Sequence, residues 1–300
     1  MILILGATGV LGREVVKALV ADRRPVRAAT RQPDMAGDLS ALGAEVVYAD
    51  LIDSVSLKRV CAGVDAVFVA AHSLMGTGIY SSVAVDGAGH RALIDAARTA
   101  GVRRFVYTSV RGATADHPVD FFRTKAAVER YLEQSGLDFT ILRPSAFMEW
   151  HVHRLLGKGI VETGKATIFG SGNTPTNFIA GVDVAHYARA ALEGPGMSAR
   201  TLELGGPDNV TRRQVVELYE RYAGRSARVT YVPVALMRIM SPLARPFKPV
   251  VSRLLDVSIW GETTDQTFAS SSLPPDIPSR PTSVEAFVRA ATQKIPGSSA

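Results

Sequence analysis

Apolar residues in the first half of the chain follow two alternating periods. Runs such as Ile2–Leu5 are apolar throughout, which is typical of a strand buried on both faces. The stretch after that run, residues 10–20, repeats its apolar positions at helical spacing. The runs predicted as strands are Ile2–Leu5, Val26–Thr30, Glu45–Tyr48, 66–70, Arg104–Thr108 and 139–142, and the helical stretches among them include 10–20, 88–100 and 122–135.

Strict alternation of strands and helices predicts parallel strand pairing, with helices on both faces of one sheet and right-handed crossovers. The predicted fold class is α/β, a Rossmann-type doubly wound parallel sheet with a smaller C-terminal region. The alternation stops after about Trp150. Beyond it, we expect a short strand pair within the glycine-rich stretch 157–172, a helix capped by Asp183 and a further helix capped by Thr211.

Composition narrows the class of protein. Of 300 residues, 47% are hydrophobic and 21% charged, which is ordinary for a globular chain. Cys61 is the only cysteine, so neither an internal disulfide framework nor a multi-cysteine metal site is possible, and no metal is expected. The start of the chain lacks the basic and apolar regions of a secretion signal. We therefore expect a cytoplasmic protein.

The net charge of +6 is concentrated in one segment. Between Gly224 and Leu255 there are six basic residues and no acidic one. Such a segment is either a solvated helix face or a contact for an anionic ligand or membrane surface, so contact with a membrane surface through 225–255 stays open. Nothing in the pattern of aromatic and basic residues predicts nucleic-acid binding. The oligomeric state is not predicted.

Residues 6–12 carry the strongest motif. Gly6, Ala7, Thr8, Gly9, Val10, Leu11 and Gly12 lie between the first predicted strand and the first predicted helix. In a dinucleotide site, the first glycine permits the tight turn, the second lets backbone approach a diphosphate, and the third lets the helix pack close to the strand. The helix N-terminus then attracts the phosphates. Residues 6–12 therefore predict dinucleotide binding, although a glycine turn without a ligand has the same sequence.

The end of the second strand indicates which dinucleotide is bound. NAD sites usually place Asp or Glu there for the ribose 2′-hydroxyl, but this strand ends Ala28-Ala-Thr-Arg-Gln32. Arg31 instead offers a cation for a 2′-phosphate, with Arg13 as a second candidate, so NADP is preferred over NAD. The alternative is that Arg31 is an ordinary surface arginine.

A carboxylate follows the third strand. Asp50 and Leu51 end the sequence Tyr48-Ala-Asp-Leu. Asp50 either accepts a hydrogen bond from the adenine amino group or caps the helix that begins near Ser54.

Residues 1–155 are expected to form the NADP-binding domain, with 178–205 returning to its sheet. Residues 206–300 are expected to form a small substrate-binding or lid region. Over roughly residues 1–205, and more loosely beyond them, the chain resembles the NmrA-like branch of atypical short-chain dehydrogenase/reductases, which includes isoflavone-reductase-like proteins. The resemblance rests on residues 6–12, Tyr107-Thr-Ser109, Lys125 and residues 135–144, followed by Phe147 and Glu149.

The resemblance implies roles for further residues. Ala70 and Ala71 would line the cofactor, and Pro144, Ala146 and Phe147 would pass near the nicotinamide. Typical members carry Tyr-x-x-x-Lys, in which tyrosine donates a proton. Here the segment reads Phe121-Phe-Arg-Thr-Lys125, so Lys125 and Ser109 remain as catalytic candidates while the usual acid is missing.

Three roles stay open on the substrate side. Lys125 either supplies the proton, if burial lowers its pKa, or only bonds the nicotinamide ribose. His72 and Tyr80 follow the fourth strand at the edge where ligands bind, and His72 is either a proton donor or a polar loop residue. Phe121 and Trp150 either shape an apolar pocket for a small-molecule substrate or pack in the core.

Two hypotheses of function follow. One is an NADP-dependent oxidoreductase that transfers hydride to a small, largely apolar carbonyl, quinone or enone-like substrate. The other is a non-catalytic NADP(H)-binding redox sensor, regulator or assembly factor. The retained Lys125 favours the enzyme, and Phe121 favours the binding protein.

Overall fold

The computed structural model describes residues 1–293. Within them lie twelve strands, numbered in chain order: β1 (Ile2–Leu5), β2 (Val26–Thr30), β3 (Glu45–Tyr48), β4 (Ala66–Val69), β5 (Arg104–Thr108), β6 (Phe139–Pro144), β7 (Ala146–Phe147), β8 (Lys165–Phe169), β9 (Thr176–Ile179), β10 (Arg200–Leu204), β11 (Asn209–Val210) and β12 (Arg228–Val232).

The helices of the described chain are also numbered in order: α1 (Val10–Ala21), α2 (Gly37–Ala41), α3 (Ser54–Cys61), α4 (His90–Thr99), α5 (Asp120–Glu133), α6 (Lys158–Thr163), α7 (Gly181–Glu193), α8 (Arg212–Ala223), α9 (Val234–Ala244), α10 (Pro249–Thr263) and α11 (Val284–Gln293). A π-helical turn, Val83–Gly89, leads directly into α4, and another, Glu149–Gly157, leads into α6.

Seven strands form the central sheet in the order β10-β6-β5-β4-β1-β2-β3. Every pairing from β3 across to β6 is parallel, and in the middle of the sheet Ile4 lies between Ala28 and Phe68. All four residues of β1 and of β4 are buried, as expected when helices cover both faces. The predicted α/β class and its parallel sheet are confirmed.

The chain divides into two compact units. The first contains Met1–Pro144 and Val184–Glu203, and the second contains Ser145–Asp183 together with the described residues from Leu204 onward. The apolar core of the first unit includes Leu3, Val67 and Phe105, which are almost completely buried. The second unit has a core of its own around Met148 and Tyr219. Its strands form a three-stranded sheet, β11-β9-β7, and a two-stranded sheet, β12-β8.

Two local expectations in the second unit are wrong. Residues 157–172 hold α6 and a single strand, β8, because Gly157 is a packing residue and not a turn: a Cβ there would lie 2.0 Å from the Tyr219 ring. Asp183 does not cap α7, which already begins at Gly181. Its carboxylate instead accepts hydrogen bonds from the backbone N–H and hydroxyl of Thr282.

The cap predicted at Thr211 is confirmed as a reciprocal capping box with Gln214. None of the helices in residues 1–293 combines the length and apolarity needed to cross a bilayer.

Candidate functional site

The glycine turn, residues 6–12, joins β1 to α1. Gly6 has a φ of +81°, and a Cβ there would lie 2.6 Å from the backbone nitrogen of Ala71. A Cβ on Gly12 would lie 2.1 Å from the carbonyl oxygen of Gly6. Both glycines are therefore required by the packing of the protein itself, the first for turn geometry and the third for close approach of α1 to β1.

Gly9 is different from the other two glycines. It is the N-cap residue of α1, and a Cβ there would meet only the Gly6 carbonyl oxygen, at 3.3 Å. No side chain caps α1, and its first turn has no acidic residue. The turn therefore presents backbone N–H groups and positive partial charge. Packing within the protein gives only a weak reason for Gly9 to lack a side chain. This arrangement fits an approaching diphosphate.

Arg31 and Asp50, both predicted to bind the nucleotide, contact Tyr80 near the ends of β2 and β3. The guanidinium of Arg31 lies 4.8 Å from the centre of the Tyr80 ring, in cation–π contact. The Tyr80 hydroxyl donates to Asp50 Oδ2 at 2.9 Å, and this hydrogen bond raises the pKa of the phenol. Tyr80, expected on the substrate side, thus lies among residues predicted to bind the nucleotide.

Asp50 is buried, and its Oδ1 accepts from the backbone N–H of Ile52 at 3.1 Å. The cap of α3 is Asp53, which accepts from the N–H groups of Val55 and Ser56. The capping role considered for Asp50 is therefore wrong. Leu51 is buried beneath the helical segment that leads into α4, where a Cβ on Gly89 would lie 2.7 Å from the Leu51 carbonyl oxygen.

The other candidate cation, Arg13, is ion-paired with Asp38. Arg31 has no carboxylate within ion-pair distance in the described part of the chain. Next to Arg31 in the sequence is Thr30, whose hydroxyl oxygen lies 3.4 Å from the hydroxyl oxygen of Thr8. The end of β2 therefore offers one uncompensated cation and two hydroxyl groups, which are suitable partners for a phosphate.

A second group of residues, the lysine cluster, consists of Asp86, His90, Tyr107 and Lys125. Lys125 is 2% exposed, and its Nζ donates to the carbonyl oxygen of Thr108 at 3.1 Å. The same Nζ lies 3.6 Å from Asp86 Oδ1 and 4.8 Å from the centre of the Tyr107 ring. Burial lowers the pKa of Lys125, while the Asp86 carboxylate opposes that shift.

Sequence reasoning missed Asp86. It lies in the π-helical turn Val83–Gly89, is 0% exposed, and accepts from the backbone N–H of Ser73 at 3.0 Å through Oδ2. Burial raises the pKa of its carboxyl, but the charge of Lys125 together with the two nearby histidines and the Ser82 hydroxyl outweighs burial, and the net shift is downward. Asp86 therefore stays ionised and gives Lys125 a buried counter-charge. The available signal was an isolated acid among small and apolar residues ahead of a helix.

His90 and Tyr107 complete the lysine cluster. His90 Nδ1 lies 3.2 Å from the Tyr107 hydroxyl, and both side chains are buried. Burial lowers the pKa of His90 to about 3, so the imidazole is neutral near pH 7. Burial also raises the pKa of Tyr107. Neither group is suited to exchange protons with solvent at neutral pH.

Phe121 lies where the resemblance places tyrosine. It belongs to the first turn of α5 and is 6% exposed, and its ring centre is 5.6 Å from Lys125 Nζ. The His72 ring lies edge-on to Phe121 at 6.1 Å and is exposed to solvent. The structure thus brings Phe121, His72 and Lys125 together.

Two buried hydroxyl groups lie at the carboxyl end of β5. The side-chain oxygens of Thr108 and Ser109 have no hydrogen-bond partner within residues 1–293. Because buried polar atoms are nearly always satisfied, these two indicate a missing partner, and atoms of a bound ligand fit that requirement. Ala70 and Ala71 follow the neighbouring β4, and the Ala70 N–H bonds to Leu5 at the end of β1.

The remaining predicted residues lie elsewhere in the chain. Pro144 ends β6 in the first unit, whereas Ala146 and Phe147 form β7 in the second unit and pair with β9. Trp150, also in the second unit, has the guanidinium of Arg154 at 5.1 Å from its ring. Among the described residues, no group of three or more His, Cys, Asp or Glu side chains is arranged to hold a metal.

Comparisons with known proteins find similarity to a protein family, to an assembly factor and to reductases. The model of the NmrA-like family matches residues 1–269. The chain is 29% identical over 252 residues to a photosystem II assembly factor from Synechocystis, which covers 82% of this chain and 75% of that protein. It is 32% identical over 238 residues to an NAD(P)H azoreductase from Xenophilus azovorans, covering 79% and 78% respectively.

A solved structure has the same fold. The NADPH-dependent quinone oxidoreductase from Escherichia coli, complexed with NADPH, superposes with a TM-score of 0.78 at 23% identity, covering 97% of this chain and 99% of that one. At that identity the likeness concerns the fold.

Proposed function

The chain belongs to the NmrA-like family, and from that premise we propose that it binds NADPH at the carboxyl edge of its parallel sheet and reduces a small, largely apolar carbonyl, quinone or enone-like substrate. The observation that carries the proposal is the uncapped glycine turn, in which Gly9 leaves room that the protein does not itself use. Bound NADPH would supply the hydride. The residues of this chain bind it, orient it and keep water from part of the site.

Arg31 supports NADPH over NADH. At the end of β2, the guanidinium and the Thr30 hydroxyl can bind a 2′-phosphate on the adenosine ribose. The sequence Ala28-Ala-Thr-Arg-Gln32 contains no acidic side chain that would repel it. Tyr80 holds Arg31 from one side while its hydroxyl is anchored by Asp50. We propose that this contact orients Arg31 before the cofactor binds. Asp50 then acts indirectly on the adenosine end of the site, by holding Tyr80 in position.

Lys125 is proposed to bind the nicotinamide ribose. One N–H of its ammonium group donates to the Thr108 carbonyl oxygen, and a second faces the Asp86 carboxylate. The third N–H is left to donate to a ligand hydroxyl. If Lys125 gave its proton to substrate, the Asp86 carboxylate would be left buried and unpaired, at a large cost in free energy. The proton for the reduced substrate therefore comes from a water at the exposed edge beside His72, and Asp86 is a positioning residue for Lys125.

Ser109 is proposed to orient the substrate. Its buried hydroxyl has no hydrogen-bond partner among residues 1–293 and can donate to a carbonyl oxygen, while Phe121 offers an apolar wall in place of the usual phenol. A serine hydroxyl is a poor acid at neutral pH, so this role is one of orientation.

The second candidate function is a non-catalytic NADPH-binding regulator or assembly factor. Phe121 supports it, because the group that donates a proton in typical members is absent. The similarity to a photosystem II assembly factor supports the assembly-factor alternative. Both functions share the cofactor site.

One experiment separates the two functions. The purified protein is first titrated with NADPH by calorimetry, and then NADPH oxidation is followed with a panel of quinones, carbonyls and enones for wild type and Lys125→Ala. The enzyme is expected to oxidise NADPH with at least one acceptor and to lose that activity in the variant. NADPH binding without turnover on any acceptor would favour the regulator.

A further inference from the structure

An exposed apolar surface runs along α9 and the turn after it. We call it the α9 stripe. Its four members on α9 are related by intervals of three and four, so they share one face of the helix, and Phe247 follows in the turn. The residues of the stripe are Leu236, Ile239, Met240, Leu243 and Phe247, which are 46%, 61%, 41%, 68% and 85% exposed.

The opposite side of α9 is firmly attached to the second unit. Met237 and Ser241 are buried, and the Ser241 hydroxyl lies 3.0 Å from that of Ser252 on α10. The stripe is therefore displayed by an anchored helix, and its exposure does not result from a frayed end. Large apolar side chains grouped in this way on a surface usually mark a contact with another body.

The surroundings of the stripe are basic. Arg238, Arg245 and Lys248 are exposed around it, and no acidic residue occurs between Gly224 and Leu255. The first acid beyond that segment, Asp256, lies 3.4 Å from Arg245. The segment's six basic residues match the excess of +6 of the whole chain, so it is strongly cationic relative to the remainder.

We propose that the α9 stripe binds the surface of a bilayer that contains anionic phospholipids. An amphipathic helix with bulky apolar residues on one face and Arg or Lys on the other lies in the lipid interface. A second copy of this chain fits less well, because a two-fold contact would bring Arg238 and Lys248 of one copy close to the same cations of the other. With eleven residues, α9 is too short to span the hydrocarbon core, so the contact is interfacial.

Flotation with lipid vesicles tests this proposal. The full chain is incubated with vesicles of phosphatidylcholine mixed with phosphatidylglycerol, and separately with vesicles of phosphatidylcholine alone. We expect binding to the anionic vesicles that weakens with salt. Leu243→Ser/Phe247→Ser and, separately, Arg238→Gln/Lys248→Gln should each weaken it at least about tenfold.

Matched controls are exposed residues of α3. Val55→Ser removes an exposed apolar side chain, and Lys58→Gln/Arg59→Gln removes two exposed charges. These variants should bind like wild type, and all variants should keep the wild-type melting temperature. Equal binding to neutral vesicles, or equal losses in the α3 controls, would overturn the proposal. So would a dimer in sedimentation velocity that only the stripe variants dissociate, since a second copy would then cover the stripe.

Discussion

The glycine turn and the lysine cluster lie in the same unit, but their electrostatic potential comes from different groups. At the turn, backbone N–H groups and helix geometry provide the positive potential, and no ionisable side chain takes part. In the lysine cluster, two full charges are buried and depend on each other. A defect at the turn is therefore steric and local. A defect in the cluster leaves an unpaired buried charge, so the two regions should respond very differently to substitution.

The largest effect is expected from Asp86→Asn. The substitution removes the counter-charge of Lys125 but keeps the size of the side chain at position 86. It should lower the free energy of unfolding by about 3–5 kcal/mol, as for other broken buried ion pairs. Urea unfolding measures the change. Lys125→Met combined with Asp86→Leu should cost less than the two single variants added together. Strict additivity would show that the pair is not coupled.

Gly12→Ala tests the packing side of the glycine turn. The added Cβ meets the Gly6 carbonyl oxygen and must displace α1 from β1, which should cost about 3 kcal/mol. Gly9→Ala, three residues away, should cost less than about 1 kcal/mol because its Cβ meets only one atom at 3.3 Å. Equal losses in the two variants would contradict the distinction between the glycines.

The acid dependence of stability is a third test. The pKa of His90 is about 3 in the folded protein, against an ordinary value of 6.5. The stability it contributes is fully present above pH 6.5 and is lost as the pH falls toward 3, because only the unfolded chain binds the proton. Between pH 6.5 and 5 the loss is about 2 kcal/mol. His90→Gln should flatten the curve in that window by this amount, and an unchanged slope would remove His90 as its source.

Arg31→Glu should produce the smallest effect. The substitution should weaken NADPH at least about tenfold more than NADH, since only NADPH carries the 2′-phosphate. Arg23→Glu, at an exposed arginine beyond α1, is the matched control and should change neither affinity. Isothermal titration with both nucleotides gives the ratio, and equal losses for NADPH and NADH would exclude Arg31 as the phosphate ligand.

Much of the first unit is predictable from sequence. The bounds of β1, β2, β3 and β5 agree with the predicted runs. In β1, β2 and β5 most residues are buried, and strands of that kind admit few polar residues. Gly101 and Gly136 mark helix ends and have positive φ, as their positions after α4 and α5 require. The second unit is less predictable, because Gly157 serves tertiary packing against Tyr219 and leaves no local pattern.

The candidate site divides in the same way. Residues 6–12 were predictable because their function resides in backbone geometry, which a glycine pattern reports directly. Asp86 was not, since its importance depends on Lys125, a residue 39 positions away in the sequence. The contact of Tyr80 with Arg31 and Asp50 likewise depends on the path of the loop after β4.

Calorimetric titration of NADPH into wild type and Gly9→Ala tests the central claim most directly. The account predicts saturable binding to wild type and an affinity at least about tenfold weaker for Gly9→Ala, with the melting temperature nearly unchanged, because the added methyl group occupies space reserved for the diphosphate. Equal affinity of the two folded proteins, or no binding to wild type, would contradict it.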